Sequence, residues 1–216
     1  MLSNLAMVFL LAPLAGADPA SEVPPVRVLI VTGVDYPGHR WKETAPCLRT
    51  VLEAEGELEA RIIEDHEFLA SDAIFAYDVI LLHLKNYDPT QRAEQVRKNL
   101  TRFVAEGGGL VLYHFACGAF PRWDRFEPIS GRIWDEDKRA HDPRGPFTVE
   151  ITDREHPITR DLQDFETDDE LYTCLGGTTP IRVLATARSK VDNQSYPMAF
   201  VLEYGKGKVF HTPLGH

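Results

Sequence analysis

The 216-residue chain is 44% apolar and 26% charged, the balance of a soluble globular domain long enough to bury a full core without staples. Its formal net charge of −10 argues against a nucleic-acid or anionic-membrane partner, because phosphate backbones are held mainly by Lys and Arg. Cys47, Cys117 and Cys174 include no C-x-x-C pair, which excludes a zinc ribbon and a thioredoxin-like motif and argues against a disulfide scaffold.

Residues 5–14 form an apolar run of signal-peptide length, too short to span a membrane. Ala15-Gly16-Ala17 has the small-x-small form of a cleavage site, although no Lys or Arg precedes the run. The expectation is therefore a signal peptide over residues 1–17, a leader over residues 18–25 and one domain over residues 26–216. The protein would be exported to the periplasm or the exterior, with no membrane association after cleavage.

Residues 26–32 (VRVLIVT) read as a buried parallel strand. Trp41, Ala45, Leu48 and Leu52 recur at helical spacing and predict an amphipathic helix ending near Gly56. Residues 58–64 and 78–84 predict two further strands. Residues 89–106 predict a helix opened by Pro89, with Val96, Leu100, Phe103 and Val104 on its apolar face and Gly107-Gly108 at its end. Residues 110–114 (LVLYH) predict the fourth strand, followed by a short helix or turn. Alternating strands and helices imply βαβ units and a mostly parallel sheet covered on both faces. Later strands are expected at residues 147–151, 181–187, 198–204 and 208–211, with a hairpin turn at Tyr204-Gly205-Lys206-Gly207. The fold expected is α/β, doubly wound at first and more antiparallel in its C-terminal half.

Several catalytic signatures are missing. Glu106-Gly107-Gly108-Gly109 leaves a helix and enters a strand, the reverse of a dinucleotide fingerprint. Gly205-Lys206-Gly207-Lys208 lacks Walker spacing, and neither G-x-S-x-G nor H-E-x-x-H occurs. Nucleotide-dependent hydride transfer, NTP hydrolysis and serine esterase chemistry are disfavoured.

Open parallel sheets bind ligands beyond the carboxyl ends of their strands. The polar residues expected there are Asp35, His39, Arg40 and Trp41, then His83 and Lys85, then Tyr113 and His114. Trp123, Asp124, Arg125, His141 and Asp142 follow, and then Glu155-His156-Pro157, Asp168 to Tyr172, and Pro213 to His216. Some have plainer readings. His66 reads as a solvated loop histidine, His156 as a turn former, and Asp168 to Glu170 as a helix N-cap with an acidic first turn. His114 ends an apolar strand at the expected switch point, and His39-x-Trp41 places an imidazole and an indole at the same mouth.

In order and spacing, Gly38-His39-x-Trp41, Leu112-Tyr113-His114, Trp123…Gly131…His141, His156-Pro157-Ile158-Thr159, Asp169-Glu170-Leu171-Tyr172 and Gly205-x-Gly207-x-Val209-Phe210…Leu214-Gly215-His216 resemble the trehalose-utilisation (ThuA-like) family. The resemblance spans residues 26–216. It implies a flavodoxin-like sheet similar to that of the class I glutamine amidotransferases, with added strands, and a link to sugar utilisation. It singles out His39, His114, His141, Glu170 and His216. It also implies a further helix after the closing Gly-His, so the C-terminus is expected to be cut short.

The main expectation is a small-molecule carbohydrate partner, with the question of a homo-oligomer open. Trp41, Tyr113, Trp123 and Tyr172 would stack on a pyranose face, with Asp169 among the substrate-binding groups. Histidines and acids would move protons near neutral pH. Glycoside hydrolysis needs two carboxylates at a set separation, and the adjacent Asp169 and Glu170 are a poor pair for it. Keto-sugar isomerisation or elimination needs only a base and an electrophile, supplied by His114 with Glu170, assisted by His39. A second reading places a divalent, zinc-like metal on His39, His114, His141 and His216 for hydrolase or lyase chemistry. A third puts an amidotransferase-like thiol at Cys117 with His211, but no clear acid follows His211, and glutaminase activity is disfavoured. A sugar-binding module without catalysis is the fourth.

Overall fold

The computed structural model describes residues 24–35, 38–85 and 92–216. The expected signal peptide, most of the leader and the expected helix opener Pro89 lie outside the described residues. The strands are β1 (Val26–Val31), β2 (Leu58–Ile63), β3 (Val79–Leu82), β4 (Gly109–Tyr113), β5 (Ile133–Trp134), β6 (Gly145–Ile151), β7 (Phe165–Asp169), β8 (Leu175–Gly176), β9 (Arg182–Arg188), β10 (Ser195–Tyr204) and β11 (Gly207–Thr212). The α-helices are α1 (Trp41–Glu53), α2 (Ala93–Ala105) and α3 (Phe126–Ser130).

Nine strands form one sheet in the order β2-β1-β3-β4-β11-β10-β9-β6-β7, and β5 pairs with β8 in a separate ribbon. From β2 to β11 the strands run parallel, with Val28 opposite Val79, Leu82 opposite Leu112 and Leu110 opposite Val209. From β11 to β7 every pairing is antiparallel. The α/β, doubly wound reading with antiparallel strands in the C-terminal half therefore describes the chain.

The strand residues are legible as a two-sided core. Val28, Ile30 and Leu81 pack against α1 through Ala45 and Leu48. Leu29, Val31, Ile80, Leu82, Leu110 and Leu112 face the other way, toward α2 and α3. Alternate residues of a strand point to opposite faces, so a continuous β-branched and Leu run is what a doubly covered sheet requires. A smaller cluster beneath the antiparallel half joins Phe147, Val149, Leu171, Ala187 and Met198.

Two local expectations need correction. Asp168 and Asp169 do not open a helix: they end the edge strand β7, with Gly145 opposite Asp169. β-Pairing with β6 satisfies the backbone groups that an N-cap would otherwise serve. His114 does not extend β4 but begins a 3₁₀ turn over His114–Gly118. Residues 66–76, around His66, fold into two short 3₁₀ turns, each opened by a side chain accepting a backbone N–H: Asp65 from Glu67 and Ser71 from Ala73. Among the described residues no helix is long and apolar enough to cross a membrane.

Candidate functional site

The strand order reverses between β1 and β3, and in such sheets the crevice opens outside the carboxyl ends at that point. Four parallel strands deliver a histidine there: His39 follows β1, His83 follows β3, His114 follows β4 and His216 follows β11. Their sequence separation is large, but strand pairing puts the four exits side by side.

His114 is the centre of the group. It is fully buried, and its φ of 50° lies in the left-handed region that non-glycine residues rarely adopt. That strain turns the chain sharply out of β4 and aims the imidazole into the crevice. His114 Nδ1 lies 2.8 Å from the Pro213 carbonyl oxygen, which only accepts, so Nδ1 carries the proton. Nε2 then presents its lone pair to His39 Nε2 at 3.1 Å, His216 Nδ1 at 3.3 Å and the Tyr172 hydroxyl at 3.4 Å. Burial pushes the His114 pKa down to about 3, against the opposing Pro213 hydrogen bond, so the ring is neutral at ordinary pH. Phe115 packs on His39 with ring centroids 4.3 Å apart.

His83 has a different role. Thr32 Oγ1 and Thr44 Oγ1 occupy its two ring nitrogens at 3.2 Å each, tying β1, β3 and α1 together. Burial, then the neighbouring His39, lowers its pKa to about 4. It supports the floor of the crevice.

Glu170 links the group to the second half of the chain. Its two carboxylate oxygens reach His141 Nε2 at 3.7 Å and His216 Nδ1 at 3.5 Å. A single antiparallel bridge pairs His141 with Tyr172, and His141 Nδ1 donates to the Asp142 carbonyl at 2.7 Å. His141 therefore stands beyond Glu170. It is not part of the group formed by His39, His114 and His216, whose ligating nitrogens all lie within 4.8 Å of one another.

Asp169 is placed otherwise than its expected substrate role requires. It is buried, and its carboxylate accepts the backbone N–H groups of Glu170 at 2.7 Å, Gly215 at 2.7 Å and His216 at 3.1 Å. This clasp fixes the last turn of the chain and so orients His216. Gly215, at φ 126°, lies against the Tyr113 ring, where an added Cβ would come within 2.3 Å of the hydroxyl. Tyr113 thus backs the clasp.

The expected stacking platforms are mostly committed elsewhere. Trp41 is buried at the start of α1 and donates its indole N–H to Asp35 at 2.7 Å. Trp123 is buried against Phe126 and Phe120, at 5.4 Å from each, because its loop folds back under α3. Tyr172 is buried with only its hydroxyl aimed at His114. Trp41 and Tyr172 are taken up in packing, whereas Trp123 still borders a cleft with Lys85 and Trp134.

Trp134 was absent from the sequence-based set. Its ring carries the buried Lys85 ammonium at 3.6 Å and meets the edge of Tyr172 at 5.5 Å. Lys85, Gly118, Trp123, Asp124, Trp134 and Glu136 line a cleft whose lining includes none of the grouped imidazoles. A lone Trp in an Ile-Trp-Asp run has no periodic signal that would have marked it. Cys117 also borders this cleft but is almost wholly buried, and burial raises its thiol pKa far above the nucleophilic range. His211 is also buried, with Nδ1 donating to the Ser130 carbonyl at 3.1 Å, on the core side of β11. With its Nδ1 taken by Ser130 and the thiol buried and inert, the pair gives no support to amidotransferase-like chemistry.

Comparisons with known proteins fit this architecture. The family profile described as trehalose utilisation (ThuA) matches residues 27–216. A solved protein of Parabacteroides merdae described as ThuA-like superposes with a TM-score of 0.77 at 23% identity, over 89% of this chain and 80% of that one. Another, from Bacteroides uniformis, gives 0.72 at 20% identity, over 92% and 85%. A GH42 β-galactosidase shares the fold over 88% of this chain but only 27% of its own, with a TM-score of 0.58 at 16% identity. Among curated proteins none matches the chain in sequence. The match along nearly the whole domain makes the chain a member of the trehalose-utilisation (ThuA) family.

Proposed function

We propose that the protein binds and transforms a sugar or keto-sugar by proton transfer, with Glu170 as the proton-moving group and the imidazole cluster as its electrophilic partner. One observation carries this reading. The Glu170 carboxylate lies between His141 and His216, so the base and the cluster face the same space. Family membership supports the carbohydrate class, and the apolar run at residues 5–14 supports action after export.

The chemistry follows from the residue types. A carbon next to a ketone loses its proton to a carboxylate when the carbonyl oxygen is stabilised as charge develops on it. The C–H electron pair moves into the enediolate, and the proton rests on Glu170. Return of that proton to the neighbouring carbon, while the hydroxyl proton passes to the former carbonyl oxygen, gives an isomer; departure of a β-oxygen that takes the proton from Glu170 and leaves as an alcohol or water gives elimination. His141 and His216 flank the two carboxylate oxygens and hold the base in place. Neutral His114 presents only a lone pair from Nε2 and cannot stabilise the developing oxyanion, so its part is to hold its ring neighbours His39 and His216 in place. The expectation gave the parts of base and electrophile to His114 with Glu170; here Glu170 remains the base, and the electrophile's part is taken from His114.

The test is a thermal-shift screen with sugars and keto-sugars, followed by product analysis with wild type and Glu170→Gln. Wild type should convert at least one keto-sugar, and the variant should still bind it but turn it over about 10²–10⁴-fold more slowly. Binding without turnover in the wild type would make the protein a sugar-binding module. Full turnover in Glu170→Gln would remove Glu170 from the chemistry.

A further inference from the structure

We infer that His39, His114 and His216 form a three-nitrogen site for a divalent first-row transition ion of the zinc type. The role of the ion, polarising the substrate carbonyl, rests on the proton-transfer reading above, but its binding does not.

The geometry argues first. Three imidazole nitrogens around a tetrahedral zinc, each bonded at about 2.0–2.1 Å, sit about 3.3 Å from one another. His114 Nε2 lies 3.1 Å from His39 Nε2 and 3.3 Å from His216 Nδ1. The three ligating atoms fall within 4.8 Å of one another. The residues arrive from three strand exits separated by 75 and 102 positions, so no local turn forces them together.

Hydrogen bonding alone accounts poorly for this convergence. The Pro213 carbonyl requires the proton on His114 Nδ1, which leaves one lone pair on Nε2. Three polar atoms approach that lone pair: His39 Nε2, His216 Nδ1 and the Tyr172 hydroxyl. One lone pair directs one good hydrogen bond. A cation is what satisfies several facing imidazole lone pairs at once.

The surroundings argue third. A metal-binding histidine commonly donates its other ring N–H to a carbonyl, which fixes the tautomer and the ring plane. His114 does so through Pro213. His216 is fixed through its backbone, where the Asp169 carboxylate accepts the N–H groups of Gly215 and His216. Glu170 sits 3.5 Å from His216 Nδ1 and outside the three-nitrogen group, where a base would act on what the ion polarises. Three protein nitrogens leave a further coordination position for substrate or water, as a catalytic rather than a structural site requires. His141, held beyond Glu170 by the bridge to Tyr172, is excluded from the ligand set.

The experiment uses the full chain without a histidine tag, stripped with chelator and titrated with Zn²⁺ in a calorimeter and with Co²⁺ by visible absorption. One ion should bind per chain, and the Co²⁺ complex should show the ligand-field bands of a low-coordinate site. His39→Ala and His216→Ala should each weaken binding at least about 100-fold, whereas His141→Ala should stay within about fivefold of wild type. His114→Ala removes a buried ring and is accepted as a test only if it folds by circular dichroism; the other two variants do not depend on it. No stoichiometric ion in the wild type, or unchanged affinity in both His39→Ala and His216→Ala, would overturn the site. Stoichiometric ion binding with no sugar converted would leave the metal site standing and overturn the proton-transfer reading. Conversion by the stripped protein at the rate of the loaded one would leave the proton-transfer reading standing and overturn the ion's role in polarising the carbonyl.

Discussion

His114 and His211 are both fully buried histidines next to paired strands, yet they sit in opposite kinds of environment. Around His114, two further imidazoles, a phenol and a carboxylate converge from separate loops at the strand exits. Around His211, one ring nitrogen donates to the Ser130 carbonyl and the ring packs on Phe200 at 4.6 Å, while Nε2 has no hydrogen-bond partner among the described residues. Both rings are held neutral by desolvation. Burial and a depressed pKa thus do not distinguish a site from a core position. Convergence of several lone pairs at an opening does.

The sharpest way to break this comparison is to disturb the core side alone. Trp123→Ala, in the aromatic cluster under α3 with Phe126, should destabilise the fold by about 3–5 kcal/mol. Ion and sugar affinity measured below the lowered melting temperature should be unchanged. A specific loss of sugar binding with normal stability would return Trp123 to the role of a stacking platform.

Next in size is the clasp that serves the site side. Asp169→Asn keeps the shape but loses acceptor capacity toward Gly215 and His216. Co²⁺ affinity should fall about 10–100-fold as His216 loses its orientation. The melting temperature should fall as well, since a buried N–H left unpaired costs about 1–3 kcal/mol. Unchanged Co²⁺ affinity would show that His216 is oriented without Asp169.

The acid response tests the core histidine. His211 has a folded pKa of about 4, lowered chiefly by burial, against about 6.5 for an unfolded histidine. The unfolded chain therefore binds the extra proton between those values. The contribution is fully present above about pH 6.5 and is lost as pH falls toward 4, amounting to about 2 kcal/mol by pH 5. Urea midpoints at pH 7 and 5 should move closer together in a folded His211 variant than in wild type. Identical pH slopes would mean that His211 titrates normally.

The smallest expected effect is at Cys117. Its buried thiol is pushed away from ionisation, so Cys117→Ala should leave turnover unchanged and lower stability by about 1 kcal/mol. Iodoacetamide should fail to label it in the native protein. Loss of turnover would revive thiol chemistry.

Much of the fold was legible because each signal was local. The β-branched run of β1, the helical spacing of Trp41 to Leu52 and the Gly205-Lys206 turn between β10 and β11 each encode their element within a few residues. The edge strand β7 was not legible. Phe165–Asp169 is acidic, largely exposed and short, and only pairing with β6 makes it a strand. His39 and His114 could be placed near one mouth from the ends of the predicted strands, and the family resemblance singled out Glu170 and His216. His141 could be placed only in the neighbourhood, since its separation from the three nitrogens depends on a bridge to Tyr172.

The sequence by itself determined the alternation of strands and helices, the exits at which polar residues gather and the family to which the chain belongs. Hydrophobic periodicity and strand-end chemistry are written in neighbouring residues, so they need no knowledge of the rest of the chain. Only the tertiary structure decided which side chains face one another. It turned Trp41 and Trp123 into the core, made Asp169 a clasp, set Lys85 over Trp134 and brought His39, His114 and His216 within reach of one point. Those outcomes depend on side-chain direction across pairings some hundred residues apart, which a linear pattern does not encode.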